Sequence, residues 1–293
     1  MKKHSIIVRS WQKGAGHPEI PFKQRSFDTG LRASLELMLK TSNSDLARIV
    51  VVTNTDQRFP KVLGEAVGDD SMTPTMRALK DVFGSDIDVL SDAGWGNNAG
   101  SASALNIGWQ HAAASPETSH VLSWNPEMAL TGHHVAMMRH FMYEHCLEIC
   151  GYLREWHWER PQFGLFQNTA AMYRIPTLQE VVGFDPRCDG NDGATIETEA
   201  FGAVTLAGMD DQDFLLRLVK ARSGDIPRIG MIGRSNPAPW KTQWPDDPVR
   251  QQEFDIKVAR QMSVLRAWST LHLPHMTLEE YLGQVFREMF IGS

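Results

Sequence analysis

No stretch of this chain concentrates positive charge. Lys and Arg total 29 against 35 Asp and Glu, a formal net charge of −6, and the basic residues are scattered. Phosphate backbones are bound by clustered cations, so nucleic acid is excluded as the main partner. Long apolar runs are missing too, and none approaches the roughly 20 residues needed to span a bilayer. Lys2 and Lys3 precede only three apolar residues before Arg9, which argues against a secretory leader. Cysteine is scarce: Cys146, Cys150 and Cys188 lack metal-ligand spacing and read as reduced thiols of a cytoplasmic protein. Neither Gly-x-Gly-x-x-Gly nor the P-loop lysine occurs, which argues against nicotinamide dehydrogenases and Walker-type nucleotide binders. Internal repeats and low-complexity tracts are absent as well.

What is present is the composition of a soluble globular protein, 42% hydrophobic and 22% charged over 293 residues. That length buries one full core, with room for an appendage. In the first half, short β-rich runs alternate with helical patterns. Ser5–Val8, Arg48–Thr53, Ile87–Leu90 and His120–Trp124 read as strands. Leu31–Leu39, Thr73–Phe83 and Ser101–Ala114 read as helices. This alternation predicts an α/β fold, a mostly parallel sheet flanked by helices. Ligands of such sheets gather at the carboxyl ends of the strands.

After Gly132 comes a helix rich in Met and His, whose His133, His134, His140 and His145 lack zinc-site spacing. A strand over Phe163–Tyr173, a helix over Leu178–Val182, a loop over Asp185–Thr195 and a last strand over Ile226–Ile232 complete the core. Asn236–Pro248, with four prolines, marks its edge. The reading therefore divides the chain into a domain over 1–235 and a helical extension over 236–293. Two amphipathic helices end the chain, the second opened by the capping box Thr277-Leu-Glu-Glu280. Their apolar stripe either docks on the core or forms the face of a homodimer.

Three segments carry chemistry. Asp210-Asp211-Gln-Asp213 opens an amphipathic helix in which Arg217 and Lys220 are expected to face water. Asn98-Ala-Gly100 and Ala104-Leu-Asn106-Ile-Gly108 put small residues at a strand-to-helix junction, suited to a phosphate or to close packing. Asn125-Pro126-Glu127 follows a strand and offers hard oxygen ligands to Mg²⁺ or Mn²⁺.

In this order, and together with Arg9-Ser-Trp11, Thr53-Asn54-Thr-Asp56, Tyr173-Arg174 and Gly183-Phe184-Asp185, the segments resemble the family-2 glycosyltransferases of the Rossmann-like GT-A fold. Asn-Pro-Glu is similar to the Asn-Pro-Asp variant of rhamnosyltransferase-like members. The resemblance covers residues 5 to 233. It implies transfer of a hexosyl or deoxyhexosyl unit from a nucleotide-diphosphate sugar to a hydroxyl acceptor, with inversion. Asp211, crowded by Asp210, falls at the family's catalytic position. Arg9, Trp11, Asp56, Asp92, Asn98 and Asn106 fall where the donor is held. Glu127 and Asn125 fall at the metal, Mn²⁺ or Mg²⁺. The chain departs from the family in having one carboxylate at the metal motif and no histidine after Gly230; Arg234 stands there instead, suited to the leaving group's charge. Two alternatives stay open: a nucleotidyltransferase using Lys13-Gly14-Ala-Gly16, and a non-catalytic binder of nucleotide sugars or glycans.

Overall fold

The structure is a computed structural model that describes residues 2–10, 27–54, 74–92, 102–126, 128–154, 170–188, 195–198, 202–205, 210–225, 227–235, 277 and 280. Its described residues form a seven-stranded sheet from β1 (Lys3–Ser10), β2 (Leu46–Asn54), β3 (Ile87–Asp92), β4 (Thr118–Trp124), β5 (Ile149–Arg154), β6 (Ala170–Arg174) and β9 (Ile229–Ser235). The order is β3-β2-β1-β4-β6-β5-β9. All neighbours pair in parallel except β6, which is antiparallel to both β4 and β5. A separate hairpin joins β7 (Thr195–Thr198) to β8 (Gly202–Thr205). The mostly parallel α/β architecture read from the sequence is therefore what the chain adopts.

Alternation along each strand explains how the core splits into two layers. Ile6, Val8, Ile49, Val51 and Leu122 face one side, with Leu35 and Met38 of α1 (Ala33–Thr41), Leu79 and Phe83 of α2 (Pro74–Phe83), and Val135, Met138 and Met142 of α4 (Gly132–Glu144). Ile7, Val50, Val52 and Val121 face the other, with Leu105 and Trp109 of α3 (Ala102–Ala113), Leu178 of α5 (Ile175–Glu180), and Phe214, Leu215 and Leu218 of α6 (Asp210–Ala221). Strands covered on both faces need continuous apolar runs, which is why Ile49-Val-Val-Val52 reads so clearly. Gly108 lets α3 lie directly on β1: a Cβ there would sit 2.4 Å from the Ile7 side chain. That segment's small residues thus serve close packing at Gly108, while Asn98 and Gly100 lie outside the described residues.

Several boundaries differ from the sequence reading. α1 runs from Ala33 to Thr41 behind a π-helical turn over Phe27–Arg32. The short α5 starts at Ile175, not Leu178, because Pro176 sits within its first turn, where a missing N–H costs nothing. The last strand starts at Ile229, past Pro227, and Thr195 belongs to the hairpin instead of a loop. At the far end, Thr277 and Glu280 form the expected capping box, with the Glu280 amide donating to Thr277 Oγ1 (3.1 Å) and the Thr277 amide to Glu280 Oε2 (2.8 Å). The remainder of 236–293, including the proposed dimer stripe, lies outside the described residues. No described helix is long and apolar enough to cross a membrane.

The amino edge of the sheet holds a buried cationic group. His4 and His120 are register partners on β1 and β4, exposed by only 3% and 4%. Arg139 on α4 reaches in beside them, donating to Asp45 Oδ2 and to the Lys2 carbonyl at 2.8 Å each. Burial, with Arg139 adding to it, pushes the His4 imidazole down to about 3. Burial, then Arg174 and Arg139, pushes His120 down to about 4. Both rings fold neutral, whereas the unfolded chain takes up protons near pH 6.5. Stability is therefore full above about pH 6.5 and falls as the pH drops toward 4, by roughly 2 kcal/mol per histidine at pH 5. Denaturant titrations at pH 7 and pH 5 should show this loss, and His120→Gln should make the dependence shallower.

Candidate active site

The strand order reverses between β1 and β4, and the carboxyl ends of these strands frame the crevice where ligands of open α/β sheets bind. Arg9 stands near the end of β1, level with Val52, and is half-buried. Asn54 and Asp92 are register partners at the ends of β2 and β3. Val8 pairs with Trp124, which places Asn125 at the same edge just past β4. Thus Arg9, Asp92 and Asn125 all stand along the carboxyl rim of the sheet, spread over the strands β3-β2-β1-β4. Trp11, Asp56, Asn98 and Glu127 lie outside the described residues. The backbone of Arg234 is in β9, four strand spacings from β1, about 19 Å away at ~4.8 Å per strand.

The turn carrying Asn125 is held from beneath. The buried Trp124 ring donates Nε1–H to the Met128 carbonyl (3.0 Å), and the Met128 amide donates to the Asn125 carbonyl (2.9 Å). Three residues on, α4 opens with a capping box in which Thr131 and His134 satisfy each other. His134 is thus occupied as a cap, and His140 pairs with Glu144 at the surface (3.0 Å). Of the two residues expected at the metal, Asn125 is placed here, and its carboxamide oxygen is a donor of the kind a hard ion accepts. Among the described residues no group of three or more His, Cys, Asp or Glu side chains is gathered for a metal.

The acidic helix start divides its carboxylates by role. Asp211 is buried, 7% exposed, in the first turn of α6. Asp213 is more deeply buried, at 1%, and its Oδ2 accepts from Arg217 Nε at 2.7 Å. Burial raises the Asp213 carboxyl above its ordinary range, while Arg217 pulls the other way. Arg217 was expected to face water and does not. Its side chain is 22% exposed, with Nη1 donating to the Val181 carbonyl (2.7 Å) and Nη2 to that of Gly183 (2.8 Å). Helical periodicity placed it on the polar side, but the neighbouring turn rises to meet that side. Lys220 is exposed as expected.

That turn, Val181 to Asp185, is gripped from the opposite flank by Asn106. The Asn106 carboxamide donates to the Phe184 carbonyl (2.6 Å) and accepts from the Phe184 amide (2.9 Å) and Trp109 Nε1 (3.0 Å). Asn106, expected at the donor, has its side chain engaged in these three bonds. Phe184 then packs against Tyr173 and Phe214, with ring centroids 5.5 and 5.0 Å away. Val182 and Gly183 carry φ of 58° and 74°. A left-handed conformation at a β-branched residue costs about 1–2 kcal/mol, offset here by the bonds around it. At Gly183 a side chain would be strained by the positive φ and would displace Asn106 Oδ1 and Trp109 Nε1, breaking the bonds they make. Asp185 closes the turn by accepting from the Arg187 amide and Nε, both at 2.9 Å. Burial alone would raise the Asp185 carboxyl, but the Arg187 bonds hold it below its ordinary value. The sequence reading missed this clamp, although the Asp213–Arg217 spacing of four residues is a standard signal for a helical ion pair.

No family model matches this chain, and no curated protein does. Among solved structures it is similar to glucosyl-3-phosphoglycerate synthase from Mycobacterium tuberculosis in complex with Mn²⁺, uridine diphosphate and glucosyl-3-phosphoglycerate. The identity is 10% and the TM-score 0.49, over 92% of this chain and 80% of that one. It is similar also to S. aureus TarS 1-349 in complex with UDP-GlcNAc, at 11% identity and a TM-score of 0.45, over 97% of this chain and 70% of that one. The likeness is one of general chain course, and nothing about this chain's chemistry follows from it.

Replacing Asn106 with alanine removes three bonds and strands the Phe184 amide and carbonyl. We expect a loss of about 2–3 kcal/mol in unfolding free energy, read by denaturant titration. Asn106→Asp keeps the accepting oxygen but sets a second oxygen against the Phe184 carbonyl, so it should not restore the loss.

Proposed function

We propose that this chain is a glycosyltransferase that moves a hexosyl or deoxyhexosyl unit from a nucleotide-diphosphate sugar to a hydroxyl acceptor, with inversion. The observation that carries this reading is the shared rim: Arg9, Asp92 and Asn125 stand at the carboxyl edge of adjoining strands. Helix α6, which leads into β9, opens with the buried Asp211 in its first turn. The resemblance in motif order supports it independently.

In this reading Arg9 and Asp92, with Trp11 and Asp56, hold the nucleotide. Asp211 takes the proton from the acceptor hydroxyl as its oxygen attacks the anomeric carbon, and the bond from that carbon to the diphosphate oxygen breaks. Of the carboxylates at the helix start, Asp213 is committed to Arg217, and the resemblance assigns the base to Asp211, next to Asp210 in the chain. Charge developing on the leaving diphosphate needs a cation nearby. Mn²⁺ or Mg²⁺ at Glu127 and Asn125 would supply it when bound, and Arg234 is the chain's own cation for the far end of the donor.

Thermal-shift measurements against nucleotides and nucleotide sugars, with Mn²⁺ or with EDTA, test this directly. One nucleoside diphosphate and its sugars should raise the melting temperature by mass action, and EDTA should reduce that shift. Asp211→Asn should lower turnover at least about a hundredfold while donor binding persists. A shift with nucleoside triphosphates alone would favour the nucleotidyltransferase. Binding without consumption, unaltered by Asp211→Asn, would leave a sugar-nucleotide binding protein.

A further inference from the structure

We propose that Arg217 is a positioning residue: through Asp213 and the carbonyls of Val181 and Gly183, it fixes the first turn of α6 and with it Asp211. The inference rests on the transferase reading above and adds a residue to its machinery.

The guanidinium spends its donors on three acceptors from two elements, Asp213 Oδ2 on its own helix and the two carbonyls of the turn after α5. The turn is no soft partner, because Asn106 holds both polar backbone groups of Phe184 from α3. α3 lies directly on β1 through Gly108, so a chain of contacts runs from the sheet through Asn106 and the turn to Arg217 and α6. Plain stability does not require this arrangement. The far end of α6 is already tied by Arg222, which donates to Glu148 Oε1 (2.6 Å) and Glu180 Oε1 (2.7 Å). Its apolar side, Phe214, Leu215, Leu218 and Val219, is fully buried. A buried ion pair is seldom more stabilising than an apolar pair of the same size; what it adds is a fixed geometry. Asp213 Oδ1, moreover, has no hydrogen-bond partner among the described residues although the residue is 99% buried, so the pair is not built for maximal satisfaction. The groups facing Asp213 are Arg217 from its own helix, and Asp185 and Arg187 from the segment after α5. Asp185 is occupied by Arg187, which leaves Arg217 as the cation that balances Asp213.

The test uses the full chain as wild type, Arg217→Lys and Asp213→Asn, assayed with the nucleotide sugar that the wild type consumes. Lysine keeps the charge but cannot reach all three acceptors at once. We expect kcat to fall roughly ten- to a hundredfold, with KM held within about twofold. Asp213→Asn keeps an oxygen for Arg217 Nε but leaves the guanidinium charge unbalanced two residues from the base. The acid limb of the kcat/KM profile should then move down by roughly half to one pH unit. Asp213→Asn carries the test should Arg217→Lys melt below the assay temperature. An Arg217→Lys enzyme with wild-type kcat, a loss confined to KM, or an unmoved profile in Asp213→Asn would overturn the positioning role alone. A wild type that neither binds nor consumes any nucleotide sugar would instead overturn the transferase reading, and this inference with it.

Discussion

A strand covered by helices on both faces can place a charge only at its ends. β1, β2 and β4 obey this constraint closely: Ile6-Ile-Val8, Ile49-Val-Val-Val52 and Val121-Leu122 are sealed from solvent on both sides. Polar chemistry is therefore driven to two rims. The amino rim collects His4, His120 and Arg139, which fold as a neutral pair beside a guanidinium already committed to Asp45 and a backbone carbonyl. The carboxyl rim collects Arg9, Asp92 and Asn125. The proposed donor site and the pH-sensitive histidine pair follow from that separation, one at each rim.

How much of this was legible in the sequence depended on whether the signal was local. The central strands were readable because burial on both faces demands unbroken apolar runs. The capping box of Thr277 and Glu280 was readable because its partners sit three residues apart. Boundaries failed where proline had two meanings. The helix α5 was read to start at Leu178, past Pro176, yet that proline stands inside the first turn, where a fixed φ is an advantage. The β7–β8 hairpin gave no usable signal, being two four-residue strands that pair only with each other. The reversal of β6 was equally silent, because strand direction depends on the path of the chain and not on composition.

The site shows the same division. The acidic opening of α6 was visible as a cluster, but its carboxylates could not be told apart by counting. The four-residue spacing to Arg217 marks Asp213 as an ion-pair candidate, and the fold shows it spent on that pair. Arg217 itself was assigned to water on helical periodicity, and the error is instructive. Periodicity places a residue relative to the sheet; it says nothing of a turn 34 residues away that packs on the helix's flank. Asn106 was placed at the donor by the resemblance, and in sequence a carboxamide near a helix start looks the same whether it meets a phosphate or the backbone of Phe184.

The bonds that hold α6 also set an order of assembly. Arg222 joins Glu148 across 74 residues of chain and Glu180 across 42, while Arg217 reaches back 36 residues to Val181. Contacts of such separation pay the entropy of closing long loops before they return anything, so they form after the local ones. During synthesis the first strands and α1 can meet as soon as they emerge, but the acidic turn of α6 is tied to Val181 and Gly183 only once the chain has been made as far as Arg217. The rim that would carry the chemistry is thus completed late, on a sheet that is already half built.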